Sequence, residues 1–325
     1  MKRGRQSSLE SFFKSKKPKI QAVVEVLSEE EEIALKNALK DTSDLLIGGC
    51  VSVGDDIGSC PQSAAYIDCT GTFSFGLTQK TMFTDEQATQ FKSNCKIHGF
   101  QLDKIVPHGS FHINLGCPND ITLERSKVRF LTELKMCEKL GILLYNFHPG
   151  STLDKCKLSE CLKSISDGIN WAHRATPDSK VVAVIECMAG QGSNVGYRFE
   201  HLAQIIKDIE NKERVGVCLD TCHMYSAGYD LRTKDTFDQV FAEFDHIVGF
   251  KYLKAMHIND SKTEYRSRVD RHENIGKGHI GSSCFRYLVN DKRFRNIPMI
   301  LETPGEGSYG WEIPMLYNMV GQINK

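Results

Sequence analysis

The stretch Gly216–His223 reads GVCLDTCH, and the predicted fold follows from its pattern. It is a short apolar run that ends in Asp220, with His223 three residues later. This order places a carboxylate at the carboxyl end of a buried strand and an imidazole on the loop beyond it, which is typical of metal ligands. The same spacing also fits an N-capping aspartate beside a surface histidine, so the rest of the chain has to decide between the two interpretations.

Similar apolar runs, rich in β-forming residues, recur along the chain. They occupy residues 45–52, 69–75, 104–107, 142–147, 180–185, 215–219, 252–257 and 297–301. Segments with helical spacing lie between them, most clearly at 84–98, 121–140, 155–174, 197–210, 235–246 and 310–321. Eight strands with helical connections predict an α/β fold, a TIM (β/α)8 barrel. A doubly wound open sheet is the alternative, but no G-x-G-x-x-G motif after an early strand supports it.

Ligand-type side chains follow six of the predicted strands. They are His108, His148, Glu186, Asp220, His223, His257 and Glu302, with Asp270 and His272 in the loop after the seventh strand. In a barrel, the carboxyl ends of the strands meet at one rim, where catalytic residues are found. Any one of these residues taken singly is more simply explained as a packed side chain. Nine together are hard to explain in that way.

The size of this set predicts more than one metal ion. Five imidazoles and four carboxylates exceed the roughly four ligands of a single zinc, and close carboxylates without a cation would repel one another. Histidine with Asp and Glu, without thiolate, favours zinc or manganese in a hydrolytic site. Two or more such cations suit phosphodiester hydrolysis, because they activate water and neutralise the leaving oxygen.

Composition limits the other function classes. Lys and Arg total 41 and so do Asp and Glu, so net charge gives no argument for a polyanionic partner. Twelve cysteines without regular spacing or a signal peptide predict reduced thiols in a cytosolic or nuclear protein. Cys218 and Cys222 are interpreted as small core residues rather than ligands. No run approaches the ~20 apolar residues of a membrane span, so no membrane association is expected.

Residues 1–27 are predicted to be a disordered tail ahead of a metal-dependent barrel domain over residues 28–325. The first 19 residues, MKRGRQSSLESFFKSKKPK, are basic and Ser-rich and cannot bury enough apolar surface to fold independently. The cluster of lysines around Pro18 resembles a nuclear localisation signal. The nucleus is therefore the expected compartment, with the mitochondrion as a second one.

The tail also contains an apolar motif. Gln6, Leu9, Phe12 and Phe13 form Q-x-x-L-x-x-F-F, which on one helical turn gives a compact three-pronged plug. It resembles the peptide that many replication and repair proteins insert into the sliding clamp, proliferating cell nuclear antigen. The alternative is a chance match in a low-complexity tail.

In combination, the ligand motifs resemble those of the endonuclease IV family of apurinic/apyrimidinic endonucleases, including its yeast-type nuclear members. The matching strings are HGSFHINLG, NFHPGS, IECMAGQGSNVG, GVCLDTCH, MHINDSK and DRHENIGKGHIG. The resemblance runs from about Leu45 to the C-terminus. It implies a TIM barrel with three zinc ions that hydrolyses the phosphodiester 5′ to an abasic site in duplex DNA, as in base-excision repair. The products would be a 3′-hydroxyl and a 5′-deoxyribose phosphate, with 3′-end trimming as a further activity of a monomeric enzyme.

The resemblance also assigns the ligands by motif. His108 and His148 would bind one zinc, with Glu186 bridging it to a second. Asp220, His257 and Glu302 would complete the second zinc, and His223, Asp270 and His272 would hold the third. Glu186 is also the catalytic candidate, for orienting or deprotonating the bridging hydroxide. His112 and His279 match no ligand of the family.

The predicted DNA-probing loops depart from the family pattern. Cys50 stands where a His is expected, and Gln79, Lys80 and Met82 occupy the Gln, Arg and Trp positions. Phe111 replaces a Tyr, which removes a hydroxyl hydrogen bond worth about 0.5–1.5 kcal/mol. Lysine lacks the planar fork of arginine, so stacking at Lys80 should be weaker. We expect Gln79, Lys80 and Phe111 to contact DNA, and incision to be retained with weaker lesion affinity or altered selectivity.

Two other functions stay open at the level of sequence. Xylose-isomerase-like sugar isomerases share the barrel and bind metals at the same rim, although with carboxylate-rich two-metal sites. A catalytically weakened scaffold that binds DNA and the clamp would explain the altered loops. The intact ligand set argues against the scaffold, because buried carboxylates and imidazoles are costly to keep unpaired.

Overall fold

Seven parallel strands form the central sheet of the computed structural model. They are β1 (Leu46–Val51), β2 (Ser74–Phe75), β3 (Leu144–Phe147), β4 (Val182–Glu186), β5 (Val215–Asp220), β6 (Leu253–His257) and β9 (Pro298–Leu301). Their order across the sheet is β2-β1-β9-β6-β5-β4-β3. Two short strands, β7 (Asp260–Ser261) and β8 (His272–Glu273), form a separate antiparallel pair.

The structure describes residues 44–54, 56–79, 81–305 and 307–322, and one compact unit spans Leu45–Lys325. The predicted tail, its clamp motif and its localisation signal lie outside the described residues.

The segment predicted as the third strand closes the sheet into a barrel. It is extended chain that bridges the two edge strands, β2 and β3. Val106 N donates to Phe73 O at 3.1 Å on one side, and Asn146 N donates to Pro107 O at 3.1 Å on the other. Proline has no amide hydrogen, so a regular ladder cannot run through this segment. Eight extended segments thus ring the barrel, and the predicted TIM fold is confirmed.

Nine α-helices in the described ranges pack around the sheet. They are α1 (Cys60–Tyr66), α2 (Asp85–His98), α3 (Asp120–Leu140), α4 (Leu158–Arg174), α5 (Phe199–Lys207), α6 (Thr221–Ala227), α7 (Lys234–Ile247), α8 (Ser282–Asn290) and α9 (Tyr309–Asn318). The six predicted helices are all present. The three that the sequence did not predict, α1, α6 and α8, are short, with seven, seven and nine residues.

The longest helix, α3, shows how local sequence sets the ends of an element. The Asn119 side chain accepts a hydrogen bond from Thr122 N at 3.0 Å, which satisfies an amide at the helix start. Gly141 ends the helix with φ +76°, a left-handed conformation that glycine adopts without steric cost. Phe130 and Leu134 face the core with no exposed surface. The same face also buries the carboxylate of Glu133.

The interior of the barrel explains why the candidate ligands meet. Five strands and the third extended segment each contribute one buried residue to a small inner cluster, namely Val106, Leu144, Val184, Cys218, Ala255 and Ile300. Side chains alternate across a strand, so the residue two positions farther on also faces inward. Those next positions are occupied by His108, Asn146, Glu186, Asp220, His257 and Glu302. The candidate site is therefore the last inward-facing layer at the carboxyl ends of the strands.

Within the described ranges, no helix is both long and apolar enough to cross a membrane. All twelve cysteines lie in these ranges as free thiols.

His173 on α4 should make stability depend on pH. It is 6% exposed, and neither ring nitrogen has a hydrogen-bond partner among the described residues. Burial, together with the charge of Arg214, lowers its pKa to about 4. An unfolded histidine has a pKa near 6.5, so between these values the unfolded chain binds more protons and stability falls as pH falls. We expect the free energy of unfolding to lose about 2 kcal/mol from this residue between pH 7 and pH 5.

Denaturant unfolding of His173→Leu at the two pH values measures this contribution. The variant should lose less stability on acidification than the parent protein. His246→Leu, at an exposed histidine of α7, should behave like the parent. An equal loss for parent and His173→Leu would contradict the assignment.

Candidate metal centre

The rim of the barrel brings all nine predicted ligands together. Their ligand atoms fall into three groups, within 4.8 Å of one another in each group: His108, His148 and Glu186; Glu186, Asp220, His257 and Glu302; and His223, Asp270 and His272. Glu186 belongs to the first two groups and so connects them. A further group, not predicted from the sequence, joins the Cys222 thiol to Asp220 and His272. Cys218 lies in the barrel interior, as its interpretation as a core residue requires.

Glu186, at the end of β4, lies at the centre of the site. It is 1% exposed, and four imidazoles surround its carboxylate. Oε2 lies 3.3 Å from His108 Nε2 and 3.6 Å from His148 Nε2. Oε1 lies 3.2 Å from His257 Nδ1 and 3.3 Å from His223 Nδ1. One carboxylate is thus placed to bridge two cation positions.

Two buried asparagines hold the ligand carboxylates in place. Asn146 Nδ2 donates to Glu186 Oε2 at 2.7 Å. Asn259 Nδ2 donates to Asp220 Oδ2 at 2.8 Å, and its Oδ1 accepts from Glu302 N at 2.8 Å. Partners of this kind orient metal ligands and raise the affinity of the site. The sequence reasoning missed both asparagines.

Backbone carbonyls fix the orientation of three imidazoles. His108 Nδ1 lies 2.7 Å from Gly109 O, His223 Nδ1 2.9 Å from Cys187 O, and His272 Nδ1 3.2 Å from Glu302 O. A carbonyl can only accept, so the hydrogen-bond network assigns the ring proton to Nδ1 and leaves Nε2 as the ligand atom. Nε2 of His223 and of His272 is buried and makes no well-oriented hydrogen bond to a described residue, although Asp270 oxygens lie 3.1 Å and 3.3 Å from these two atoms. A cation would satisfy both atoms, so the residues present fit a metal centre.

Asp220 serves both of the functions that its sequence spacing suggested. Its Oδ1 accepts from His223 N at 2.8 Å and so caps α6. Its Oδ2 lies 3.6 Å from His272 Nε2, among the ligand atoms. The helix α6 begins directly after the end of β5, so His223 lies in its first turn, close to the rim of the barrel. The D-x-x-H spacing therefore encodes a helix cap and a ligand pair together.

A buried carboxylate also organises the loop that follows the β7–β8 hairpin. Asp260 accepts hydrogen bonds from the amides of Gly276, Gly278 and Ile280 at 2.9–3.0 Å. A Cβ at Gly278 would lie 2.5 Å from Asp260 Oδ1, so a side chain there would displace the loop. This explains the glycine-rich end of the motif DRHENIGKGHIG in structural terms. His279, in the same loop, is exposed and outside the ligand groups, as is His112.

The electrostatics of the centre favour ionised carboxylates. Burial opposes the charge on Glu186, but His257, His148 and hydrogen bonds from His108 and His223 outweigh it and hold the pKa well below its usual range. For Glu302, the charge of His257 outweighs burial and lowers the pKa to about 2. Burial also lowers the pKa of His148 to about 4, which keeps this imidazole in the neutral, metal-binding form.

The imidazoles of His223 and His257 would each lose a proton when a cation binds. Nearby carboxylates overcome the effect of burial and raise the pKa of His223 well above its usual value. The same is true of His257, where the Cys218 thiol contributes with the carboxylates. A cation bound between these groups displaces such protons, since only neutral imidazole is a ligand.

The candidate centre is open to solvent at several of its side chains. The Asp270 side chain is 35% exposed, that of His148 23%, and those of His272 and Glu302 19% each, whereas those of Glu186 and Asp220 are at most 1% exposed. Each of the three ligand groups therefore has at least one side chain that a large substrate can reach.

The three predicted DNA contacts have different surroundings. Phe111 is 77% exposed, and its ring lies 5.0 Å from that of His108 and 5.4 Å from that of His148. Gln79 is half-buried, and its carbonyl accepts from Arg129 Nη1 at 2.6 Å. Lys80 lies outside the described residues. DNA binding by these three residues stays a prediction, and so does metal binding by the nine candidate ligands.

Asn259→Ala is expected to weaken zinc binding by about 10- to 100-fold, because it frees the Asp220 carboxylate and the Glu302 amide. The affinity is measured by competition with a chromogenic zinc chelator. Asn290→Ala is the matched control, since among the described residues that amide bonds only to backbone carbonyls of Arg286 and Met319 and to Gly321 N, on α8 and near α9. Equal affinity of both variants would show that Asn259 does not support the site.

Comparison with known proteins shows the family to which the chain belongs. A family model described as a xylose isomerase-like TIM barrel matches residues 64–319. The chain belongs to this barrel family. An endonuclease 4 homolog of Dictyostelium discoideum is 52% identical over 240 residues, which make up 74% of this chain and 44% of that protein. The match thus spans less than half the length of this curated member of the family.

Among solved structures, an endonuclease IV is similar to this chain in both fold and sequence. Endonuclease IV from Thermus thermophilus superposes with a TM-score of 0.73 at 27% identity, covering 84% of this chain and 98% of that one. A D-tagatose 3-epimerase-like protein gives a TM-score of 0.68 at 17% identity, covering 85% and 98%. The second likeness shows the fold only. The resemblance to endonuclease IV that the motifs predicted is confirmed by the first structure and by the Dictyostelium homolog.

Proposed function

We propose that this protein is a DNA-repair endonuclease that hydrolyses the phosphodiester 5′ to abasic sites in duplex DNA, in base-excision repair. The observation that supports the proposal most strongly is the convergence of nine ligand-type side chains in three connected groups at one rim of the barrel. The likeness to endonuclease 4 and endonuclease IV supplies the substrate class. The products would be a 3′-hydroxyl and a 5′-deoxyribose phosphate.

Three zinc ions fit the three groups: the second group supplies four protein ligands, and water or substrate would bring the two groups of three to about four ligands. When bound, the cations supply Lewis-acid activation of water and neutralise charge on the phosphodiester. Glu186 then has the task of orienting the attacking water by accepting its hydrogen bond. Its two carboxylate oxygens each lie against a pair of imidazoles at a cation position, so Glu186 is better suited to orientation than to full proton removal. Asn146 keeps the carboxylate in that orientation.

Incision of a duplex with one stable abasic analogue tests the proposal. We expect a single cut 5′ to the analogue, and end analysis should find a 3′-hydroxyl at the cut. A parallel incubation with a ketohexose tests the sugar-epimerase alternative that the fold permits. Epimerisation without DNA cleavage would overturn the proposed function. The same assay with 3′-blocked ends tests the trimming activity, which uses the same phosphodiester chemistry.

We also propose that the N-terminal tail directs the enzyme to its site of action. Gln6, Leu9, Phe12 and Phe13 would bind the sliding clamp, and the adjacent basic residues would direct import into the nucleus. A peptide of residues 1–19 should bind the clamp, and the Phe12→Ala/Phe13→Ala peptide should not. Equal binding by the two peptides would leave only basic charge as an explanation. The enzyme is proposed to act as a monomer, with a sedimentation coefficient that does not depend on concentration.

Phe111→Ala is expected to weaken binding of an abasic duplex by roughly 5- to 150-fold, since stacking of an aromatic ring on a base contributes ~1–3 kcal/mol. The free energy of unfolding should change by less than about 0.5 kcal/mol, because the ring is exposed. Fluorescence anisotropy with a labelled duplex measures the affinity. Tyr66→Ala is the control, because this ring is 69% exposed at the end of α1, away from the carboxyl ends of the strands. Unchanged affinity in Phe111→Ala would exclude the ring from the interface.

A further inference from the structure

Glu133 on α3 is a buried carboxylate that does not belong to the ligand set. Its side chain has no exposed surface. Burying a carboxylate costs several kcal/mol unless its oxygens are paired, so its partners indicate what it does. Burial raises its pKa, while bonds from Tyr145 and Ser110 and the charge of Arg129 act in the opposite direction.

The partners of Glu133 connect three parts of the barrel. Oε2 accepts from Tyr145 Oη at 2.7 Å and from Ser110 N at 3.0 Å. Oε1 accepts from Arg129 Nε, one helical turn away on α3. A Cβ at Gly109 would lie 3.0 Å from Oε2, so the loop after the third extended segment packs directly on the carboxylate.

Arg129 extends the same network to a second loop. Its Nη1 donates to Gln79 O at 2.6 Å, and its Nη2 donates to Leu77 O. The guanidinium thus binds two carbonyls of the loop after β2 and, through Nε, the carboxylate that holds the loop after the third segment. Lysine could not reproduce this arrangement, because its ammonium group is a single point without a planar fork.

The two loops joined by this network are those that bear the predicted DNA contacts. Gln79 precedes Lys80 in the first loop, and Ser110 precedes Phe111 in the second. Arg129 therefore holds the carbonyl of Gln79, which is itself a predicted DNA contact and precedes Lys80. Glu133 holds the amide of Ser110, which precedes Phe111. Tyr145 ties the carboxylate to β3, the strand that also bears Asn146.

We propose that Arg129, Glu133 and Tyr145 form a brace that sets the two DNA-probing loops at a fixed distance from each other and from the metal centre. Arg129 and Glu133 are thus positioning residues for lesion recognition, which rests on the proposed function. No residue of the brace is a metal ligand, so the brace acts on DNA binding more than on the chemical step. A displacement of about 1 Å at a positioning group can cost roughly 100-fold in productive binding.

The test compares Arg129→Met, which keeps the aliphatic stem and removes every donor, with Arg129→Lys. Amide hydrogen exchange is measured in the free, zinc-loaded protein for residues 76–82 and 109–113. We expect exchange in both segments to accelerate in Arg129→Met by about 10-fold or more, with a smaller effect in Arg129→Lys. Arg174→Met is the matched control, because within the described part of the chain the Arg174 side chain pairs only with the exposed Glu210, at 2.6 Å. It should leave both segments unchanged.

Incision kinetics and bound zinc are measured on the same variants. We expect KM for an abasic duplex to rise about 10- to 100-fold in Arg129→Met, with kcat within about threefold of the parent and zinc content unchanged. Unaltered exchange in both segments, or a loss of kcat at constant KM, would overturn the brace. If the parent protein does not incise an abasic duplex, the proposed function is wrong. Hydrogen exchange still decides in that case whether the brace exists.

Discussion

Glu186→Gln is expected to slow incision of an abasic duplex by roughly 10²–10⁴-fold. The substitution preserves the size of the side chain but removes the charge that four surrounding imidazoles stabilise. The amide also presents only one acceptor oxygen, so the side chain can no longer bridge two cation positions and orient water. Single-turnover incision, with bound zinc measured on the same sample, gives the effect.

The zinc measurement separates two explanations for slow incision by Glu186→Gln. Lower zinc content would show that the bridge is needed for assembly, and full zinc content with slow incision would show a role in the reaction. Glu200→Gln, at an exposed glutamate of α5 that pairs with Arg198, is the control and should incise at the parent rate. A near-normal rate for Glu186→Gln would contradict the placement of this carboxylate at the reacting centre.

Removal of the bound cations by a chelator is expected to abolish incision and to destabilise the fold. At free zinc about 1,000-fold above its Kd, each site that is emptied should lower the free energy of unfolding by about 4 kcal/mol. Without cations, Glu186 and Asp220 are buried carboxylates compensated only by imidazoles and amides. Denaturant unfolding of depleted and reloaded protein measures the loss.

Reloading provides the specificity control for the chelation experiment. Zinc should restore both incision and stability. Magnesium should restore neither, because it prefers octahedral oxygen ligands and five of the nine side chains are imidazoles. Full incision by chelated protein would exclude a metal-dependent reaction.

The barrel could be predicted because its strands are buried on both faces. The run Val215–Asp220 is apolar up to its last residue, and such runs recur with helical segments between them. The third strand was predicted from the same signal, but Pro107 interrupts its ladder, so it closes the barrel as bridging chain. The helix α6 was missed because its sequence is occupied by ligand residues and its cap, Asp220, also looked like a metal ligand.

The ligands could be proposed from sequence because each follows a strand end, and topology brings strand ends together. The residues that hold the ligands and the neighbouring loops in place could not be proposed from sequence. Asn146 reaches a carboxylate 40 positions away and Asn259 one 39 positions away, so neither has a local signal. Arg129 and Glu133 have the spacing of an ordinary helical ion pair, four residues apart, and only the structure shows that they bind the loop after β2 and the loop after the third segment. Cys222 was read as a core residue, and it is buried, but its thiol also lies among the ligand atoms.

Stepwise addition of zinc to metal-free protein, with bound zinc and incision of an abasic duplex measured on each sample, tests the central claim most directly. The three ligand groups are connected through Glu186, and Asp220 and His272 meet across the second and third groups. We therefore predict that incision stays low until bound zinc approaches about three per chain, at about four ligands for each ion. Full incision with one bound zinc, or three bound zinc ions without incision, would contradict a three-metal endonuclease.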